Sequence, residues 1–315
     1  MPLPLVIVNP ESAGGSTRTA WPGIASELRS HFGAFAIAFT EKPGQGIELA
    51  SEAARKGAKF IIACGGDGTI SEVANGILQS GTSAELGILP SGTGGDFRRT
   101  LEISTRTRDA AEILRSGQTR LIDVGRVTYI NSAGVEDTRY FLGVASFGMS
   151  AAVIERVKES GPAWLPAKAP KWLTGRLSFG ASMLQTAMQS PATKVVVQLD
   201  DEHERHLTVA NFCVANARFF GGGMKIAPNA KLTDGLFDVV CIGDLGARKI
   251  LTNAPRVYLG SHFSMDQVHH TFAKRIVARA AAKDEEITLE VDGELPGQLP
   301  ATFQILPAAL RVRCP

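Results

Sequence analysis

No stretch of the 315 residues is long and apolar enough to span a bilayer as a helix. The best candidates, Lys59 to Cys64 and Phe141 to Ile154, are short or broken by glycine and serine, against the ~20 apolar residues that spanning requires. The opening Met1-Pro-Leu-Pro-Leu-Val-Ile-Val has no positive region and no small-residue cleavage site, so it reads as a strand rather than an export signal. A cytoplasmic protein is the expectation. Cysteine is scarce: Cys64, Cys213, Cys241 and Cys314 are far apart and form no Cys-x-x-Cys, which favours buried reduced thiols over disulfides or a zinc site. An excess of one charge is missing as well. Lys plus Arg is 33 and Asp plus Glu is 31, a formal +2, so no whole-protein basic field points to nucleic acid. The absence of any Gly-Lys dipeptide removes the P-loop signature. No G-x-G-x-x-G follows a strand with a ribose-binding acid behind it, which weakens a dinucleotide oxidoreductase. No His-Glu-x-x-His exists, so His203, His206, His269 and His270 read as solvated turn residues rather than metal ligands, and Asp284-Glu-Glu286 as a solvated turn.

What is abundant is glycine, 33 residues, or about 10% against the roughly 7% of average proteins. Such an excess implies close backbone approach somewhere. Hydrophobic residues at 44% and charged residues at 20% describe a chain that folds around a sizeable core, and the length suggests two domains.

The first part alternates strands and helices. Leu3 to Asn9, Ala34 to Thr40, Lys59 to Cys64 and Leu86 to Pro90 read as strands. Helical spacing follows them at Trp21, Ile24, Leu28 and Phe32, at Ile47, Ala50, Ala53 and Ala54, at Ile70, Val73, Ala74, Ile77 and Leu78, and over Arg108 to Arg115. This β-α rhythm predicts a doubly wound parallel sheet with ligands at the carboxyl ends of its strands. From about Leu121 the rhythm changes to strands and turns: Leu121 to Ile130, Arg139 to Ala145, Lys194 to Leu199, Leu207 to Ala215, Leu236 to Ile242, Thr271 to Ala278 and Ile287 to Asp292. The polar connection Asp200 to His206 marks a hairpin, and Ala301 to Val312 reads as a short strand pair. The second half is therefore expected to be mostly antiparallel β.

The glycines fall at strand ends. Gly65-Gly66-Asp67-Gly68-Thr69 follows the third strand and opens a helix, where glycine N–H groups and the helix dipole favour a phosphate. Asp67 would need a cation, or a proton from an attacking hydroxyl, to act beside phosphate; a glycine turn with an Asp cap is the plain alternative. A second turn, Pro90-Ser91-Gly92-Thr93-Gly94-Gly95-Asp96-Phe97-Arg98-Arg99, follows the fourth strand. Two such nests at neighbouring strand ends favour a nucleotide site.

Taken together, Asn9-Pro-Glu-Ser-Ala-Gly-Gly15, Thr40, Gly65-Gly-Asp-Gly-Thr69, Gly92-Thr-Gly-Gly-Asp96, Gly221-Gly-Gly-Met224 with Ala227-Pro228, Asp234-Gly-Leu-Phe-Asp238 and Asp292-Gly-Glu294 resemble, in order, the diacylglycerol kinase and sphingosine kinase superfamily. The likeness is to its soluble bacterial lipid kinases and covers nearly the whole chain. It implies a nucleotide-binding α/β domain of phosphofructokinase-like topology over residues 1–122, a lipid-substrate β-sandwich over 123–303, and a segment 304–315 that returns to the first domain. ATP would sit in the cleft between them. By motif, Asn9, Ser12, Thr40, Gly65, Gly66, Asp67, Gly68, Thr69, Ile70, Ser71 and Thr93 would line ATP. The resemblance also implies Glu294 as proton acceptor, with Asp67 as the catalytic acid of other branches, and a structural magnesium held by the Asp234 carboxylate and the carbonyls of Lys231 and Leu236. Where the family usually has Asn, this chain has Gly95, so an amide contact near the nucleotide is lost or the turn is relaxed.

The implied reaction is transfer of the ATP γ-phosphoryl group to a lipid hydroxyl, with diacylglycerol or a sphingoid base as typical acceptor. An NAD kinase shares a Gly-Gly-Asp-Gly nest, and a nucleotide-regulated lipid-binding protein is a third reading that Gly95 keeps open. Between Gly161 and Met188, Trp164, Lys168, Lys171, Trp172 and Arg176 mix tryptophan with basic groups as interfacial segments do. They mark either transient contact with a membrane surface or a cover for the sandwich core. A homodimer is among the assemblies the sequence allows.

Overall fold

The computed structural model describes residues 3–92, 94–159 and 192–315. Contacts divide the chain into two compact units, Met1–Val124 with Leu306–Pro315, and Gly125–Ile305.

The first unit is α/β. Strands β1 (Leu5–Val8), β2 (Ala36–Phe39), β3 (Phe60–Gly65) and β4 (Glu85–Pro90) alternate with helices α1 (Ser16–His31), α2 (Gln45–Arg55) and α3 (Asp67–Ser80); α4 (Asp96–Thr100) and α5 (Thr107–Ser116) follow. The strands pair in parallel in the order β2-β1-β3-β4, and the end of the last strand, β14 (Glu294–Cys314), adds in parallel beside β4, with Arg311 opposite Glu85 and Val312 opposite Leu86. Val6, Ile7, Ile61, Ile62 and Leu86 are fully buried, as expected of strands that have no solvent face. In α1 the apolar positions Trp21, Ala25 and Leu28 are the buried stripe. Helices α2 and α3 approach so closely at Gly76 that a Cβ there would lie 2.4 Å from the Ile47 carbonyl oxygen. That packing fixes α3, whose N-terminus abuts the first glycine nest.

The second unit is rich in antiparallel pairs. It contains the second half of β5 (Gln118–Asn131), β6 (Glu136–Phe141), β7 (Val144–Gly148), α6 (Met149–Glu159), β8 (Thr193–Leu199), β9 (Arg205–Ala215), β10 (Phe237–Gly243), α7 (Ala247–Leu259), β11 (Val268–Ala273), β12 (Arg275–Ala280), β13 (Thr288–Val291) and the first part of β14. Pairing runs β11-β10-β9-β7-β13-β14, with β8 joining β9 to β12 and β12 joining β14. Its core is aromatic: Phe147 stacks on Phe212 with centroids 4.9 Å apart and Phe141 on Phe237 at 5.5 Å, and all four are buried. As expected, β8 and β9 form a hairpin around the polar loop that begins at Asp200, and Asp284 to Glu286 lie exposed.

Three segments differ from the pattern reading. Arg139 to Ala145 is two strands, because Asp292 Oδ2 and Oδ1 accept the Leu142 and Gly143 N–H groups at 2.9 Å each and hold the chain in a bend. Thr271 to Ala278 also divides, where the Asp200 carboxylate accepts the N–H groups of Lys274 (2.9 Å) and Arg275 (2.8 Å). Conversely, Ala301 to Val312 belongs to one long strand. At Ala308, with φ of 52°, the N–H is received by Asp123 Oδ1 at 2.8 Å, so the irregular backbone after Pro307 does not end the strand.

Candidate active site

In the first unit the predicted residues meet at the carboxyl ends of β1, β3 and β4. Asn9 Nδ2 donates to Thr69 Oγ1 at 3.1 Å, and Ser12 Oγ lies 3.5 Å from the same oxygen. Gly65 makes this possible, since a Cβ would come within 2.3 Å of Thr69 Oγ1 and 2.9 Å of Ser12 Oγ. Helix α3 begins at Asp67, and a helix leaves its first N–H groups, here those of Asp67, Gly68 and Thr69, without intrahelical partners. Ile70 instead donates its N–H to the Gly66 carbonyl at 3.1 Å, and the Ile70 and Ser71 side chains are buried. Thr40 closes the end of β2, its N–H donating to the Val8 carbonyl at 2.9 Å. Behind it, Glu72 accepts the Gly44 and Gly46 N–H groups at 2.9 Å each, so one side chain of α3 caps α2 and orders the loop after Thr40.

The two glycine turns touch. A Cβ on Gly92 would lie 2.7 Å from Gly66 Cα, and one on Gly94 would lie 2.8 Å from Asp67 Oδ2. Asp67 joins them: its Oδ2 accepts the N–H groups of Gly95 (2.6 Å) and Asp96 (3.0 Å), and its Oδ1 that of Phe97 (3.1 Å). The carboxylate thus caps α4 from thirty residues away and compensates the positive end of that short helix. Thr17 Oγ1 adds a bond from α1 to Ser91 Oγ at 2.7 Å. Thr93 lies outside the described residues.

Gly95 has its own explanation here. It is the left-handed N-cap of α4, with φ of 74°, and a Cβ would come within 2.5 Å of Arg98 Nε. The Arg98 side chain occupies the space next to the missing amide and donates from Nη1 to the Ile103 carbonyl. Burial, then the neighbouring Arg99, draws its pKa down, while Asp67 and Asp96 pull the other way.

In the second unit, Asp292 and Gly293 form a two-residue turn with φ of 49° and 86°, and Val291 pairs with Glu294. Both left-handed positions explain the Asp-Gly pair. Asp292 is committed to the Leu142 and Gly143 N–H groups, which leaves Glu294 as the exposed acid at the start of β14. Gly221, Gly222 and Gly223 all have positive φ (57°, 84°, 112°), and the loop is closed by a pair of bonds between Phe220 and Met224 at 3.0 Å. The Asp234 turn is exposed, and Asp234 Oδ1 accepts the Leu236 N–H at 3.2 Å. The set expected from the sequence, the Asp234 carboxylate with the carbonyls of Lys231 and Leu236, would be all oxygen, chemistry that suits a hard divalent cation. Among the described residues no group of three or more His, Cys, Asp or Glu side chains is placed to hold a metal.

One expectation is corrected. His270 is not a solvated turn residue: its Nε2 lies 2.7 Å from Asp238 Oδ1 and its ring stacks on Phe263 at 4.5 Å, because Asp238 is two residues along β10 from Val240, the partner of His270, and so shares its face of the sheet. His269 beside it is exposed, as are His203 and His206. The four cysteines are free thiols; burial pushes Cys64 up to about 12 and Cys241 up to about 11. The Trp164 to Arg176 segment lies outside the described residues, among which no helix is long and apolar enough to cross a membrane.

The diacylglycerol kinase catalytic domain matches residues 4–127, and the YegS C-terminal NAD kinase beta sandwich-like domain matches residues 143–314. A diacylglycerol kinase of Mycobacterium tuberculosis is 30% identical over 313 residues, covering 98% of this chain and 94% of that one. The chain belongs to the diacylglycerol kinase family. A further family member, the diacylglycerol kinase of Bacillus subtilis, is 29% identical over 261 residues, 82% of this chain and 79% of its own. A crystal structure of a diacylglycerol kinase from Bacillus anthracis str. Sterne superposes with a TM-score of 0.70 at 21% identity, over 99% of this chain and 97% of that one, which extends the shared mixed α/β architecture to the full length. As a family member the chain is a lipid kinase, with its sandwich-like domain in the second half. Sequence motifs reached Asp67, Glu294 and the glycines but missed Thr17 and Glu72, whose partners lie far along the chain.

Proposed function

We propose that this kinase transfers the γ-phosphoryl group of ATP to the hydroxyl of a lipid such as diacylglycerol, with magnesium. The observation that carries this is the pair of contacting glycine turns fastened by Asp67 at the ends of parallel strands β3 and β4. Together they offer backbone N–H groups and a helix N-terminus in one place, the chemistry a polyphosphate needs. In this reading Asn9, Ser12, Thr40, the run Gly65 to Ser71 and Thr93 line the nucleotide in a doubly wound, phosphofructokinase-like domain over 1–122 with 304–315. The domain over 123–303 receives the lipid, and Glu294 takes the proton of the attacking hydroxyl. Magnesium would neutralise phosphate charge and, through Asp234 and the carbonyls of Lys231 and Leu236, brace a turn of the second unit. A bilayer substrate implies transient contact with a membrane surface by an otherwise cytoplasmic protein; a homodimer is compatible, nucleic acid is not called for.

The sandwich domain's likeness to NAD kinases gives the second reading, NAD as acceptor. Labelled ATP offered with diacylglycerol, sphingoid-base or ceramide micelles, or with NAD, separates the two, and product masses name the acceptor. The expected result is a phospholipid product. Phosphate on NAD alone supports the second reading, and no transfer to any acceptor leaves a nucleotide-regulated lipid binder. Folded Glu294→Ala should lose about a hundredfold or more in kcat at saturating ATP; near-native turnover removes Glu294 as base.

A further inference from the structure

Behind the Glu294 turn lies a buried polar chain that neither the motifs nor the reaction uses. Glu290 on β13 is 3% exposed and stands opposite Ser146 on β7. Its Oε1 accepts the Gly293 N–H at 2.7 Å. Its Oε2 meets Ser146 Oγ, which lies 2.7 Å from Ser150 Oγ at the start of α6, which in turn lies 2.8 Å from Asn211 Oδ1 on β9.

Counting protons along this chain fixes its direction. The Ser150 N–H also reaches the same Asn211 atom, at 3.0 Å, so that atom must be the acceptor oxygen and not the amide nitrogen. Ser150 therefore spends its single hydroxyl proton on Asn211. Ser146 then spends its own on Ser150, since the contact between them needs a donor. Nothing remains for the contact between Ser146 and Glu290 except a proton carried by Glu290 itself.

We infer that Glu290 is a neutral carboxylic acid that positions Glu294: it donates its proton to Ser146 and accepts the N–H of Gly293, the residue before Glu294. The inference rests on Glu294 being the base. Neutrality has a purpose there. The titratable groups that face Glu290 are Asp292 and Glu294 on its own turn and the Cys213 thiol on β9, while β7 meets it with the Ser146 hydroxyl, itself in contact with Ser150 of α6. A negative charge buried on Glu290 would raise the affinity of Glu294 for protons. Burial, with the repulsion of Asp292 and Glu294 added, holds Glu290 up at about 7, against the opposing bond from the Gly293 N–H.

The test compares wild type, Glu290→Gln and Glu290→Ala. Glutamine copies the protonated acid, with an N–H for Ser146 and an oxygen for Gly293. Wild-type kcat should fall about tenfold per pH unit on the alkaline side, where Glu290 ionises. Glu290→Ala should lose about tenfold in kcat at every pH, and Glu290→Gln should restore most of that loss while flattening the alkaline fall. A Glu290→Gln enzyme as impaired as Glu290→Ala overturns the inference, because the carboxylate would then be needed. Infrared difference spectra read the proton directly: wild type at neutral pH should show a protonated-carboxyl C=O band that Glu290→Gln lacks. No such band overturns the inference even if Glu290→Ala fails to fold. Should no acceptor be phosphorylated, the reading of Glu294 as base fails on its own, while the infrared band still decides the state of Glu290.

Discussion

Asp67 shows how much a residue found by motif can do beyond the motif. Its place after two glycines at a strand end suggests a metal ligand or a base, yet both of its oxygens receive N–H groups of the second glycine turn. An acid so engaged holds the turn in place. Asp67→Asn keeps one acceptor oxygen and loses the charge, so it should cost about 1–2 kcal/mol in stability by calorimetry. The kinetic sign is the sharper readout. A holding role raises KM for ATP about tenfold or more with a smaller fall in kcat, whereas loss of a base would lower kcat at unchanged KM. The residue types at this site are legible because glycine, aspartate and asparagine have few uses at strand ends. Their partners are not: Asp67 reaches residues 95 to 97 and Thr17 reaches Ser91, pairings that no local period encodes.

At the scale of elements, hydrophobic period found β1, β3, β4 and helices α1 to α3 because each has one buried stripe or two buried faces, and it found β2 by its apolar run although that edge strand is largely exposed. It failed where a single side chain overrides apolar continuity. Arg139 to Ala145 and Thr271 to Ala278 look like unbroken strands, but Asp292 and Asp200 each collect two backbone N–H groups and bend the chain. Aspartate acting at sequence distances of 74 and 150 is invisible to a local window. The same physics makes a prediction. Asp200→Ala leaves the Lys274 and Arg275 N–H groups without their acceptor at the corner between β11 and β12, and should cost about 2 kcal/mol, seen as a lower Tm with ATP affinity unchanged. A Tm equal to wild type would mean that water replaces the carboxylate at no cost.

For the molecule as a whole, the pair of Glu85 on β4 and Arg313 on β14 is a largely buried, two-pronged tie of the first unit. Arg313 Nε and Nη2 donate to the two Glu85 oxygens at 2.7 and 2.8 Å, Nη1 reaches the Leu114 carbonyl at 3.0 Å, and the guanidinium lies 4.9 Å from the Phe60 ring centroid. Thr119 donates to Glu85 as well, at 2.7 Å. Burial alone would raise the Glu85 carboxyl, but the bonds from Arg313 and Thr119 outweigh it and hold the group below its ordinary value. A lowered acid stabilises above the unfolded value and loses that contribution as pH falls through the folded one. Glu85→Gln should therefore cost about 3 kcal/mol near neutral pH, and the gap to wild type should narrow in denaturant titrations run toward acid pH. A gap that stays constant across that range would show that packing, not charge, carries the tie.

Strand β14 also sets an order of events during synthesis. The ribosome makes β4 early and then the entire second unit before residues 306–315, which cover the β4 edge, exist. Until then the first unit waits with an open parallel edge, the kind of surface that pairs with strangers. Nascent chains stalled before Leu306 should therefore be the aggregation-prone stage of this protein's life, and the arrival of ten residues the step that closes it.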